Sequence, residues 1–568
     1  MPNDAAEDAL RREIAAHPGR VDPWARLAEH QVRRGEFDGA IFSLAAAIQL
    51  APDSAPLQAN LAYVFLATSK VVDAEKAARR ALAINPSHPL ARMHLAHALA
   101  RQGRWSEAAR DYEEAARRIP GFADPWIGRA NAQLHAGLRR DAVATLKHAV
   151  TIEPTRAEEL ESFALFTMQY GDEFGAQEVF DAHVAWGKRF AKAGERRPPR
   201  SSSEAIIRVG YVSASFRTSA MSFAMLPVLA SHDQERFEVT CYSGGEGNDD
   251  FTELFQGSAA QWRDTRGLDD EQLARRIYDD RIDVLVDLSG HTLGNRLTAF
   301  ALRPAPVQLS WLDYFNTTGV PAMDAILADD EVLRTPLAQS FVERLESLGP
   351  VRYPWGPPAY APEPVVRRGG PVTFASFSRF GKATDATLDA WAAILRAVDG
   401  SRLILKNDSL GDSEICARVV SLFAARGVEA ARLDLRAASI HGEMLAQYGD
   451  ADIVLDTFPY NGGITTLEAL WMGRPVVTLR GDTLAGRQGA SILTACGKGA
   501  WVAGDAPGYV AIATALASDR AALAAHQAGL RESLVGSPLL DAAGFTQRLE
   551  ALYERLLKSL LAEDRPRP

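Results

Sequence analysis

Two hydrophobic rhythms divide the chain. Through its first third apolar residues return at helical spacing, and a stricter pattern lies over them. Ala28, Ala62, Ala96 and Ala130 are separated by 34 residues each, as are Ala40, Ala74, Ala108 and Ala142, then Ala47, Ala81, Ala115 and Ala149, and finally Pro52, Pro86, Pro120 and Pro154. Small side chains at fixed places let two helices cross closely, and a proline stops the helix before it. The pattern therefore predicts four antiparallel helix pairs. Ala164, Ala176 and Phe180 keep the phase in a fifth copy without its proline, the form of a terminal unit that docks on a neighbouring surface. After Ala205 the rhythm changes to short apolar runs, Ile206–Val212, Phe237–Tyr242 and Ile282–Leu288, with amphipathic segments between them. A proline-rich stretch, Tyr353–Pro358, interrupts this alternation, which restarts with Val372–Phe377, Arg402–Lys406, Ile453–Asp456 and Pro475–Leu479. Each run reads as a buried strand of a parallel sheet. Leucines at helical spacing over Gly544–Glu563 predict a closing helix.

The predicted organisation is thus α followed by α/β: repeats over 1–193, a linker over 194–205, a first doubly wound half over 206–335, a crossing segment over 336–370, and a second half with the closing helix over 371–568. The linker carries Arg-Arg-Pro-Pro-Arg-Ser-Ser-Ser, with no apolar period to bury. Two doubly wound halves in tandem imply a cleft where ligands meet the carboxyl ends of the strands. The 34-residue period with its alanines resembles the tetratricopeptide repeat, an α-solenoid whose groove usually takes an extended protein segment.

Composition narrows the function. The 568 residues are 47% hydrophobic and 24% charged, ordinary globular usage that excludes a mainly disordered chain. A formal net charge of −10 has the wrong sign for a protein built to neutralise nucleic-acid phosphates. Cys241, Cys416 and Cys496 are too scattered for a disulfide framework or a zinc site. The start is acidic and polar rather than basic and then apolar, and no apolar run reaches the length of a membrane span. The expectation is a soluble cytoplasmic protein with no membrane insertion.

The densest chemical signal is Leu455–Trp471, a strand, a turn with Asn461-Gly462-Gly463, and a helix opened by Thr465 and Thr466. The glycines let backbone approach a ligand closely, and free N–H groups at a helix start favour an anion such as a diphosphate. Glu468, one turn in, is placed to accept hydrogen bonds from a ribose diol. A capped helix with a structural glutamate is the alternative reading of the isolated segment.

This stretch, with Trp471–Val477 behind it, is similar to the signature of the protein O-GlcNAc transferase group, glycosyltransferase family 41, which includes the SPINDLY-type proteins. Val209–Ser213, Asp287–Thr292, Phe300–Gln308 and Trp311-Leu312 resemble the group in order and spacing, as does the layout of repeats before a catalytic region. The resemblance implies a GT-B fold of two Rossmann-like halves and an inverting, metal-independent transfer from a nucleotide sugar to a protein hydroxyl. Within Ser376–Lys382 it implies that Lys382 stabilises the departing diphosphate. Arg379 is read either as a second cation or as a surface residue, and His441 either as a nucleoside contact or as a polar cap. In long-repeat members an asparagine recurs on the inner helices; the matching positions here are Arg26, Asn60, His94 and Gly128, so only one copy keeps it. Asp450-Ala451-Asp452 fits the D-x-D of manganese-dependent transferases, but it runs directly into a strand and is read as structural. No metal or other cofactor is expected.

Two departures bear on the chemistry. Bacterial members usually follow the first strand with Asp-Phe-Arg-x-His; this chain has Ser215-Phe216-Arg217-Thr218-Ser219. A serine hydroxyl is too weakly acidic to inherit a general-base role near neutrality. His291 and Asp287 are the remaining titratable candidates from the first half, with turn-forming hydrogen bonds as their alternative role. The loop after Trp311, Gly-Tyr-Pro-Gly in relatives, reads Asp313-Tyr314-Phe315-Asn316, and changes beside the reacting sugar point to an altered donor or acceptor. Three functions follow: a protein O-glycosyltransferase using a UDP-sugar, UDP-GlcNAc first, with the repeats recruiting the protein acceptor; a flagellin glycosyltransferase using a CMP-nonulosonic acid; and a non-catalytic adaptor that keeps a nucleotide-sugar cleft.

Overall fold

A computed structural model describes residues 5–195, 206–245 and 247–563, so most of the predicted linker lies outside the described residues. By internal packing the chain forms two compact units. One runs up to Ala157 and includes Asp408–Arg418; the other holds Glu158–Asn407 and Val419 onwards.

In the first unit a leading helix, Ala5–Ala16, is followed by the pairs Val21–Arg33 and Phe37–Leu50, Ala55–Ala67 and Val71–Ile84, Pro89–Arg101 and Trp105–Arg118, and Asp124–His135 and Arg139–Ile152. The alanines of the 34-residue pattern are at most 1% exposed, so any larger side chain there would push the helices apart. The turn inside each pair needs a left-handed residue. Gly35, Gly103 and Gly137 supply it at φ 75°, and Ser69 takes the same place in the second copy at φ 58°, where an L side chain is strained.

The second unit contains two all-parallel sheets. The strands of the first are β1 (Ile207–Ser213), β2 (Phe237–Ser243), β3 (Gln261–Asp264), β4 (Val284–Asp287), β5 (Val307–Ser310), β6 (Ala325–Ala328) and β7 (Arg344–Ser347), in the order β3-β2-β1-β4-β5-β6-β7. The second has β8 (Thr373–Ser376), β9 (Arg402–Lys406), β10 (Leu433–Arg436), β11 (Ile453–Leu455), β12 (Val476–Leu479) and β13 (Val502–Ala503), in the order β10-β9-β8-β11-β12-β13. Both orders reverse direction once, at β1/β4 and at β8/β11, the point where doubly wound sheets open a crevice for a ligand. The seventh strand of the first sheet falls inside the 336–370 crossing segment. The closing helix, Ala542–Glu563, returns to the first half: Phe545 stacks on Trp311 with ring centroids 5.8 Å apart, and the Tyr553 hydroxyl lies 3.1 Å from that of Tyr211.

The fifth repeat copy, helices Ala157–Met168 and Ala176–Phe190, packs almost entirely within this second unit. Trp186 is buried and its indole N–H donates to the Glu158 carbonyl at 3.0 Å. Gly187 runs so near the backbone of Gly319 that a Cβ there would sit 1.8 Å from the carbonyl oxygen. His183 donates from Nδ1 to the Val179 carbonyl and accepts the Tyr314 hydroxyl at Nε2, each at 2.6 Å. The degraded copy therefore fixes the loops that follow β4 and β5. Among the described residues no helix is long and apolar enough to cross a membrane.

Candidate active site

Lys382 and the Asn461-Gly462-Gly463 turn, the residues expected to cradle a diphosphate, come together at the β8/β11 crevice. After β8 a short turn, Phe380–Lys382, carries Lys382, and after β11 the chain passes through Asp456 to Asn461-Gly462-Gly463 and the helix Ile464–Trp471. The Lys382 ammonium donates to the Asn461 carbonyl at 3.3 Å and lies 3.9 Å from the centre of the Tyr460 ring. The loops are tied together underneath, because the hydroxyls of Thr384 and Thr387 both donate to the Phe458 carbonyl, at 3.0 and 2.6 Å. Burial and the neighbouring Arg379 push the Lys382 ammonium down to about 7, with Asp456 opposing them. An incoming diphosphate would restore its charge. Arg379 itself is exposed at the edge of the turn, close enough to act on Lys382.

Asp456, which the sequence reading passed over, holds the glycine turn in shape. One carboxylate oxygen accepts the N–H groups of Gly462 at 2.7 Å and Thr457 at 2.9 Å, and the other accepts the Thr478 hydroxyl at 2.7 Å. An aspartate ending a strand just before a glycine turn is the signal that marks it. The turn has no room for side chains: a Cβ on Gly463 would lie 2.6 Å from the Tyr353 hydroxyl and 2.7 Å from Gln488 Oε1. The two threonines divide. Thr466 turns its hydroxyl back to the Gly462 carbonyl at 3.1 Å and so belongs to the turn, whereas Thr465 stays part-exposed at the helix start. The Asn461 amide also serves the turn, donating to the carbonyls of Thr457 and Leu479.

One turn along the helix, buried Glu468 meets His441, with Oε1 to Nε2 at 2.8 Å; His441 Nδ1 lies 2.7 Å from the Tyr360 hydroxyl. A carboxylate only accepts, so His441 donates from Nε2 and takes the Tyr360 proton at Nδ1. Burial raises the Glu468 carboxyl and His441 opposes the rise. Phe223 from the first half lies beside the imidazole, ring centroids 5.5 Å apart. This partly open, polar and aromatic corner next to the diphosphate cradle is chemically suited to a nucleoside.

The first-half candidates have different surroundings. His291 is buried; its Nε2 donates to the Thr318 carbonyl at 2.9 Å, so its Nδ1 accepts the Ser162 hydroxyl at 2.6 Å. Its basic lone pair is occupied, and burial with His183 nearby holds it well below the usual histidine range. Asp287 is equally enclosed, accepting from Ser289 N, Gly290 N and the Ser310 hydroxyl at 3.0, 2.9 and 3.1 Å. Burial lifts it to about 6 against those bonds. Both are tied into turn-forming hydrogen bonds here, the alternative role that the sequence left open for them. Ser219 is likewise engaged, with Ser215 O and the Ser222 hydroxyl.

The D-x-D segment lies at the wrong end of its strand. Asp452 precedes β11, accepts the Thr373 N–H at 2.8 Å and faces Arg367 and Arg520, while Asp450 pairs with Arg436. The crevice opens at the other, carboxyl end. No cluster of three or more metal-ligating side chains occurs among the described residues.

Residues 191–351 and 369–549 match the sequence pattern of glycosyl transferase family 41. The chain belongs to that family. It is 36% identical over 419 residues to a probable UDP-N-acetylglucosamine--peptide N-acetylglucosaminyltransferase SPINDLY of Hordeum vulgare, covering 71% of this chain and 44% of that protein. The corresponding Arabidopsis thaliana protein is also 36% identical, over 69% of this chain and 44% of its own length. The chain thus spans under half the length of these curated relatives. The solved structure of a Thermobaculum terrenum O-GlcNAc transferase mutant superposes with a TM-score of 0.83 at 32% identity, covering 90% of this chain and 98% of that one. The family 41 fold thereby accounts for both the repeats and the paired sheets.

Proposed function

We propose that this family 41 chain is a protein O-glycosyltransferase that moves a sugar, with inversion, from a nucleotide-sugar donor to a serine or threonine hydroxyl, UDP-GlcNAc being the first donor to try. The observation that carries the reading is the meeting of Lys382 with the Asn461–Gly463 turn at the β8/β11 crevice. There a fixed cation and a helix start face the place where charge develops as the diphosphate departs. Glu468 and His441 extend the same edge toward a ribose and base. In this reading Lys382 takes the part that a divalent ion plays in D-x-D enzymes, so transfer needs no metal. The repeats recruit the acceptor protein, and the names of the relatives, which describe transfer to peptides, are consistent with that division of labour.

The test is incubation of the whole protein with UDP-GlcNAc, UDP-glucose, GDP-fucose or a CMP-nonulosonate, each with an extract of acceptor proteins and with EDTA present. The expected outcome is a mass increment of one sugar on serine or threonine, undiminished by the chelator. Nucleotide binding without modified protein under every condition would leave only an adaptor.

A further inference from the structure

A hydroxyl that attacks an anomeric carbon must lose its proton, and the buried acceptors near the crevice are already engaged by neighbouring donors. His291 Nδ1 accepts Ser162; Asp287 and Asp456 each accept three hydrogen bonds; Glu343, beneath the same loop, accepts from Thr317 and twice from Thr318. Asp313 differs. It follows β5 at the carboxyl edge of the first sheet, its side chain is part-exposed, and among the described residues its carboxylate has no hydrogen-bond partner. The backbone around it is built for the purpose. Leu312 is held at φ 79°, a strained value for leucine. The buried Arg352 guanidinium clamps the carbonyls on either side, Leu312 O at 2.9 Å and Tyr314 O at 2.8 Å, while Asp313 N–H reaches the Leu288 carbonyl at 3.3 Å. The Asp313 carboxylate acts electrostatically on Tyr353 and Tyr460, and Tyr460 is the ring on which the Lys382 ammonium rests. Phe315, two residues on, lies edge-on to Tyr460 with centroids 6.0 Å apart. The loop that carries Asp313 therefore meets, through Phe315, the Tyr460 ring on which the Lys382 ammonium rests.

We propose that Asp313 is the general base of the transfer: its carboxylate takes the acceptor hydroxyl proton as that oxygen bonds to the anomeric carbon, while the bond from this carbon to the donor phosphate breaks and its electron pair leaves with the nucleotide. This rests on the transferase reading above. The titratable and charged groups that interact electrostatically with Asp313 include Arg352, Asp287, Tyr353 and Tyr460. Burial and Asp287 push the carboxyl up to about 7 against Arg352, a value near the optimum for a base working at neutral pH. Lys382 titrates in the same range in the free protein, but a bound diphosphate moves it upward, so at saturating donor it drops out of the acidic side of the kcat profile, and the Asp313 variants show which part of that limb belongs to Asp313.

The experiment follows kcat against pH for wild type, Asp313→Asn and Asp313→Glu, with the donor from the panel above that the wild type turns over and a serine/threonine peptide mixture as acceptor. Nucleotide release and peptide mass are the readouts, and nucleotide-induced thermal stabilisation checks the fold. Wild type should lose rate about tenfold per pH unit below about pH 7. Asp313→Asn should fall about 10²–10⁴-fold, keep nucleotide stabilisation and lose the acidic limb; Asp313→Glu should recover part of the rate with a shifted limb. An Asp313→Asn protein with wild-type rate and an unchanged limb overturns the assignment of Asp313 while leaving the transferase reading intact. A wild type that turns over no donor overturns both.

Discussion

Lys382 gives a prediction whose size follows from its surroundings. In the free protein its ammonium is pushed down to about 7, chiefly by burial, so above that pH the crevice presents a neutral amine. A bound diphosphate supplies the opposite charge that is missing and raises the ammonium toward its ordinary value near 10.4. The affinity of UDP should therefore be full below about pH 7 and fall about tenfold per unit above it, or about 100-fold (~2.7 kcal/mol) by about pH 9. Binding at about pH 8 should take up close to one proton. Isothermal titration calorimetry with UDP in two buffers of different ionisation enthalpy measures both quantities. Lys382→Met should bind weakly at every pH, with the slope and the proton uptake gone. A flat affinity between about pH 7 and about pH 9 in the wild type, or the same slope in Lys382→Met, would refute the pairing of this ammonium with the diphosphate.

Other elements answer to simpler tests. Glu468→Gln removes the charge facing His441 and should weaken UDP by about 10- to 150-fold, the range of a charge-assisted hydrogen bond, with inorganic diphosphate affinity little changed; equal losses for both ligands would place Glu468 elsewhere. Asp452→Asn should lower the melting temperature, at a cost of about 1–3 kcal/mol, and leave UDP affinity and EDTA insensitivity as they were; a loss of donor binding that added manganese restores would reinstate the D-x-D motif. Ser69→Gly relieves the left-handed strain in the second repeat and should stabilise the repeat unit by about 1 kcal/mol. Chemical denaturation followed by circular dichroism measures it, and a destabilised variant would refute the strain.

The repeat pattern was legible because each of its alanines answers a single demand, close helix crossing, that a small side chain alone satisfies. The strands that could be read have an apolar, buried centre, such as Leu403-Ile404-Leu405 within Arg402–Lys406, because both faces of the sheet are covered. β3 and β10 were missed because they are edge strands with part-exposed residues and mixed polarity, and β7 was hidden behind the proline-rich segment. Asn461 and Glu468 were singled out by motif and Lys382 by resemblance, and the structure brings the three to the same crevice. Asp456, Tyr460 and Tyr360 escaped because their roles depend on contacts between loops distant in sequence. His291 and Asp287 looked catalytic for a related reason. Their residue types are right and their strand end faces the crevice, but the degraded fifth repeat supplies Ser162 and closes the histidine off, which no local pattern announces.

In the proposed reaction the carboxyl edge between β8 and β11 receives the nucleotide diphosphate. Diffraction from crystals of the whole protein grown with UDP tests it most directly. Phosphate density within hydrogen-bonding distance of the Lys382 ammonium and the backbone N–H groups at Gly463–Thr465 is the predicted result. Density at the β1/β4 edge of the first sheet, with Lys382 still resting on Tyr460 and the Asn461 carbonyl, would contradict it.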